Sequence, residues 1–126
     1  MMDGRREHTI LLVEDDPLLR HAFRLLLEDA GYRILEAGSA AEALACAVAE
    51  HPTVIILDLG LPDRPGLEVA RELREHPGTR TIPIVALTGR AGAAERRACL
   101  EAGCNLYFAK PLEPGELLRR IPDLLG

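Results

Sequence analysis

Four short apolar runs each lead directly into a residue that could do chemistry. Thr9 to Val13 leads into Glu14-Asp15-Asp16, Thr53 to Leu57 into Asp58, Ile82 to Leu87 into Thr88, and Asn105 to Ala109 into Lys110-Pro111. If these runs are parallel strands, their ends meet at the sheet edge where ligands bind. One surface then carries several carboxylates, a hydroxyl and an ammonium. Like-charged carboxylates raise one another's pKa unless a cation neutralises them. Hard oxygen donors with no imidazole or thiolate among them suit Mg²⁺. A carboxylate beside that ion can attack phosphorus, with an ammonium to neutralise charge on the transferring group.

Singly, each residue has a plainer reading. Asp16 before Pro17 is a helix N-cap, and the cap is the preferred reading for it. Thr88 alone reads as a turn or cap residue, Tyr107 alone as core, and Lys110-Pro111 as a strand exit. Asp58 fits a plain reading poorly, because an unpaired carboxylate at the edge of a core is costly. All of them together at one edge favour chemistry. Lys110 adds to this, being the only Lys among fifteen basic residues, where Arg otherwise supplies positive charge.

The elements that must position these residues follow from periodicity. Besides the four runs, Tyr32 to Glu36 reads as a strand, and the runs within 10–13, 54–57 and 84–87 are continuously apolar, as central strands covered on both faces must be. Between the strands, Pro17 to Ala30 predicts a helix with an apolar stripe at 19, 22, 23, 26 and 30 and a stop at Gly31. A capping box, Ser39 to Glu42, opens a second helix that ends near Glu50. Gly66 to Glu75 predicts a third, with Leu67, Ala70, Leu73 and the Arg74 stem on one face. Gly92 to Ala102 predicts a fourth, closed by Gly103, and Pro114 to Arg120 a fifth that Pro122 interrupts or ends. The pattern is α/β: one (βα)5 domain over residues 1–126 with its core from about 9 to 120.

Composition narrows the function. The 126 residues suit one ordinary domain, 48% apolar and 28% charged. No apolar run approaches the roughly 20 residues of a membrane span, and the charged start precedes no secretory segment, so a cytoplasmic protein is expected. A net charge of −5 argues against nucleic acid as a partner. Cys46, Cys99 and Cys104 lack C-x-x-C spacing and read as reduced, packed thiols, and the scattered histidines argue against zinc. No P-loop, G-x-G-x-x-G or G-x-S-x-G is present, so nucleotide hydrolysis, dinucleotide binding and serine-hydrolase chemistry lack their parts.

From about Thr9 to Arg120 the sequence resembles the receiver domains of two-component response regulators. The resemblance rests on Ile-Leu-Leu-Val-Glu14-Asp15-Asp16-Pro, Ile-Ile-Leu-Asp58-Leu-Gly-Leu-Pro62-Asp, Val-Ala-Leu-Thr88-Gly and Tyr107-Phe-Ala-Lys110-Pro111. It implies a flavodoxin-like, doubly wound parallel sheet with strand order 2-1-3-4-5 and a cis Lys110-Pro111 bond. It implies Asp58 as phosphoacceptor, Asp15, Asp58 and the Gly60 carbonyl as Mg²⁺ ligands, and Glu14 holding the ion through water. Thr88 and Lys110 are implied to contact the phosphoryl oxygens, with Tyr107 an aromatic switch that turns inward with Thr88. The implied partners are a sensor histidine kinase or phosphotransfer protein and an unknown downstream protein. Gly89 and Gly60 depart from the usual family residues. Cys104-Asn105-Leu106 replaces the acidic pair of regulators that dimerise through their last two helices, so a monomer is expected. A covalent Mg²⁺-dependent phosphohydrolase and a receiver excised from a hybrid histidine kinase are the alternatives.

Overall fold

The computed structural model describes residues 8–125. Residues 1–7, which hold most of the charged start, and Gly126 lie outside the described residues. The strands are β1 (Thr9–Val13), β2 (Arg33–Ala37), β3 (Val54–Asp58), β4 (Ile84–Thr88) and β5 (Leu106–Ala109). They form one parallel sheet in the order β2-β1-β3-β4-β5, a flavodoxin-like arrangement. The three continuously apolar runs occupy the centre, and β3 and β4 are buried along their whole lengths.

The helices are α1 (Pro17–Asp29), α2 (Ala40–Glu50), α3 (Gly66–Glu75), α4 (Ala93–Glu101) and α5 (Pro114–Arg120). After α5 the chain tightens into a 3-10 turn, Ile121–Leu124, so Pro122 changes the helix type without ending the spiral. Two cores lie on opposite sheet faces. Leu11, Val13, Ile55, Leu57, Ile84 and Ala86 pack on one side with α2 and α3 residues, and Ile10, Leu12, Val54, Ile56, Val85 and Leu87 on the other with α1 and α5 residues. Alternate strand residues feed alternate faces, which is why these runs lack a polar side.

Two helical stripes differ from the sequence expectation. In α1 the buried residues are Phe23 and Leu27, with Leu19 packed beside them, while Leu26 is 40% exposed. A spacing of four tracks one narrow face, and Leu26 lies about 100° round from Leu27. In α3 the buried face is Gly66, Val69, Ala70 and Leu73, with Leu67 at its edge. Gly66 begins this helix because a Cβ there would stand 2.5 Å from the Leu59 Cα. The loop after Asp58 can thus lie directly against the first turn of α3.

Local caps hold as the sequence predicts. The Asp16 carboxylate accepts from the Leu18 and Leu19 N–H groups at 3.0 and 3.4 Å, and Ser39 Oγ accepts from the Glu42 N–H at 3.2 Å. Gly31 and Gly103 close α1 and α4 at φ 101° and 103°, a region that favours glycine.

Candidate functional site

Strand register sets the site. β3 runs one residue further than expected, so Asp58 is its last residue, paired with Leu87. Thr88 closes β4 opposite Ala109, and the Lys110 N–H donates to the Thr88 carbonyl at 2.7 Å. Glu14 leaves β1 with its N–H on the Ala37 carbonyl at 3.0 Å. Glu14, Asp58 and Thr88 are the only buried acidic or hydroxyl residues at this end among the described residues; Asp15 is exposed.

Asp58 is held from two sides. Its Oδ1 accepts from the Gly60 N–H at 2.8 Å, and its Oδ2 accepts from the Lys110 ammonium. The same ammonium donates to Glu14 Oε1 at 3.3 Å, across 96 residues of sequence. The Lys110-Pro111 bond is cis. Arg20 donates to the Glu14 carbonyl at 2.7 Å, and Glu14 Oε2 accepts from the Asp16 N–H at 3.1 Å.

Burial, then the nearby Asp58 carboxylate, push Glu14 up to about 7. Burial also acts to raise Asp58, but hydrogen bonds from Glu14, Lys110 and Gly60 outweigh it and hold Asp58 below the usual carboxylate range. Burial acts to lower Lys110, yet its bond to Asp58 holds it above its ordinary value. Two neighbouring carboxylates with opposite shifts share a proton, which is how a site short of positive charge relaxes.

Glu14, Asp15 and Asp58 each bring a carboxylate oxygen to within 4.8 Å of the others, the one group of metal-binding residue types brought together among the described residues. One ammonium, bonded to Glu14 and Asp58, accompanies the three carboxylates. This all-oxygen donor set and its charge deficit fit a hard divalent cation.

Thr88 and Tyr107 meet through the loop between β4 and α4. The Arg90 N–H donates to Thr88 Oγ1 at 3.1 Å, and the Tyr107 hydroxyl donates to the Arg90 carbonyl, also at 3.1 Å. The Tyr107 ring packs at the rim of the core on the α2 and α3 side. Thr88 Oγ1 donates to Glu95 Oε1 at 3.1 Å. Glu95 was not singled out by its sequence, since nothing local marks a glutamate in the first turn of α4 as the partner of a residue seven positions earlier. Asp63 is a second such residue: its carboxylate caps α2 from the loop after β3, accepting from the Ala40 and Ala41 N–H groups at 2.8 and 3.1 Å. These bonds hold its pKa below the usual range. The thiols of Cys99 and Cys104 are free and buried, and burial pushes Cys104 up to about 12.

The fold and the acidic strand ends define a doubly wound α/β module whose site lies at the topological switch point between β1 and β3. Residues 10–122 match the response regulator receiver domain model, and the chain belongs to that family. It is 34% identical over 118 residues to the polar-differentiation response regulator DivK of Brucella ovis, covering 94% of this chain and 96% of DivK. It is 38% identical to the KDP operon transcriptional regulatory protein KdpE of Escherichia coli, covering 89% of this chain and 48% of KdpE. The receiver domain of a sensor histidine kinase from Pseudomonas aeruginosa, solved with a magnesium ion coordinated in its active site cleft, superposes with a TM-score of 0.86 at 35% identity. That match covers 94% of this chain and 98% of the other. The chain is therefore a receiver domain of the kind used in two-component signalling. Among the described residues no helix is long and apolar enough to cross a membrane.

Proposed function

We propose that this chain is a phosphoacceptor switch of a two-component phosphorelay, a single receiver domain over residues 1–126. Its observation is the setting of Asp58: buried at the exit of β3, held by the Lys110 ammonium on one oxygen and the Gly60 N–H on the other, with Glu14 and Asp15 alongside. The phosphoryl donor is a phosphohistidine on a sensor histidine kinase or phosphotransfer protein. An Asp58 oxygen bonds to phosphorus as the P–N bond breaks, and the electron pair stays on the histidine nitrogen. Asp15, Asp58 and the Gly60 carbonyl would hold Mg²⁺, with Glu14 acting through water, and the ion would supply positive charge for the phosphoryl oxygens.

Lys110, a compact point charge, exchanges its bond to the carboxylate for one to a phosphoryl oxygen. Thr88 donates its hydroxyl proton to another, and Tyr107 follows inward. About −1.5 to −2 charges appear at one spot, and the population of the α4–β5–α5 region shifts to present a different face to a downstream protein. The chain is not an enzyme for other substrates, beyond slow self-phosphorylation and self-dephosphorylation. It works as a cytoplasmic monomer and does not bind nucleic acid.

Acetyl phosphate with Mg²⁺ tests this by intact mass. One phosphoryl group is expected, absent in Asp58→Asn and absent after chelation. Labelling of Asp58→Asn, or labelling without the metal, overturns the assignment. Sustained turnover of small phosphoesters would instead make the chain a phosphohydrolase.

A further inference from the structure

Thr88 has one hydroxyl proton, and the structure gives it to Glu95. A hydroxyl donates once and accepts through its lone pairs. Here the donor arm ends on Glu95 Oε1 at 3.1 Å, and the acceptor side is taken by the Arg90 N–H at 3.1 Å. A phosphoryl group offers acceptor oxygens, so a contact from Thr88 to it requires this same proton. The carboxylate in α4 and a phosphoryl group on Asp58 are therefore competing acceptors for one donor.

We propose that Glu95 is a positioning residue that restrains Thr88 in the unphosphorylated state, and that its displacement by the phosphoryl group frees the first turn of α4. The proposal rests on the reading of Thr88 as a phosphoryl contact. Glu95 lies in that first turn, where the helix cap Gly92 makes no side-chain hydrogen bond. The bond from Thr88 thus ties the start of α4 to the end of β4. The restraint extends to β5, because Arg90 takes the Tyr107 hydroxyl on its carbonyl while giving its N–H to Thr88. Thr88, Gly89, Arg90 and Glu95 border an open cavity of about 590 Å³ that reaches Gly60, so this segment has space beside it to rearrange. A Cβ at Gly89 would touch nothing within 4 Å. When Thr88 turns, its bonds with Glu95 and with the Arg90 N–H are given up together, which frees the start of α4 and the loop that Tyr107 holds through the Arg90 carbonyl.

The test is an amide chemical-shift titration with beryllofluoride and Mg²⁺ on wild type, Glu95→Ala and Glu95→Gln, with melting curves for each. Glu95→Ala removes the competing acceptor, so half-saturation falls about fivefold, the effect of one partly solvated hydrogen bond. Glu95→Gln keeps a carbonyl acceptor and stays close to wild type. In a Thr88→Ala background, Glu95→Ala leaves half-saturation unchanged. An unchanged half-saturation in Glu95→Ala overturns the proposal, as does a shift that persists without the Thr88 hydroxyl. A merely structural role would lower the melting temperature and leave half-saturation alone. If the wild type itself gives no response, the phosphoacceptor reading fails, and the role of Glu95 fails with it.

Discussion

At the N-terminal ends of the strands, the Arg74 guanidinium donates to the carbonyls of Gly103, Arg80 and Ile82 at 2.9, 3.1 and 2.7 Å and to Asn105 Oδ1 at 2.9 Å. Asn105 Oδ1 also takes the Ile84 N–H at 2.9 Å, and the buried Thr79 hydroxyl donates to the Leu73 carbonyl at 2.7 Å. At the C-terminal ends, Glu14, Asp15 and Asp58 gather, and the Lys110 ammonium reaches two of them, Glu14 and Asp58. Both ends satisfy their buried polar atoms, for no buried side-chain nitrogen or oxygen among the described residues lacks a partner. They differ in charge. One guanidinium spread over neutral dipoles holds a loop, two strand starts and a helix end together. Three clustered carboxylates, two of them bonded to one ammonium, leave a deficit that a ligand can cancel. Hydrogen bonding serves stability at both ends, and the uncancelled charge distinguishes the end proposed to accept the phosphoryl group.

Arg74→Ala attacks the first end and has the largest expected effect on stability. Several carbonyls and Asn105 lose their donor, which costs about 3 kcal/mol in urea denaturation. Labelling of Asp58 in the folded protein should not change. A loss below about 1 kcal/mol would mean that water replaces the guanidinium and that the two ends are less different than their bonding implies.

The second end is tested by pH. Glu14 has its folded pKa raised from an ordinary 4.5 to about 7, so between these values the metal-free folded chain binds more protons than the unfolded one. Stability therefore falls as pH rises through that window, by on the order of 2 kcal/mol. Asp58 acts in the opposite sense, its lowered pKa contributing stability that is lost as pH falls below its ordinary value of 3.8. Denaturation with chelator at several pH values checks this, and Glu14→Gln should flatten the fall between 4.5 and 7. Magnesium should flatten it as well, by keeping the carboxylates ionised without a shared proton. A metal-free curve already flat in that window would break the charge contrast between the two ends.

Lys110→Arg sharpens the contrast further. The planar guanidinium keeps the charge and loses the compact ammonium that reaches both Asp58 and Glu14. Magnesium binding should persist, while amide shifts around Tyr107 on adding beryllofluoride become smaller. Identical shifts in both proteins would show that position 110 supplies only generic charge. The smallest effect is expected at Gly89→Ala, where the added methyl meets no atom and the unfolded chain loses freedom, a gain of about 0.5 kcal/mol seen as a higher urea midpoint. A destabilised variant would mean that the loop's backbone needs glycine there.

The alternation of strands and helices, the three central strands, the caps at Asp16 and Ser39, and the placement of Glu14, Asp58, Thr88 and Lys110 at strand ends were all legible in the residues alone. All of these are local: runs of branched residues, a cap two or three residues from the N–H that donates to it, glycine where φ is positive. Motif resemblance carried the strand order, since nothing in a single run says which neighbour it pairs with. Packing selected Leu27 over Leu26 to face the sheet, because the two differ by one helical step and the partner surface chooses between them. Packing likewise joined Thr88 to Glu95, Asp63 to the start of α2, and Arg74 to the connections that precede β4 and β5. Those pairings depend on sheet register and loop path, which bring together side chains whose sequence neighbourhoods have nothing in common.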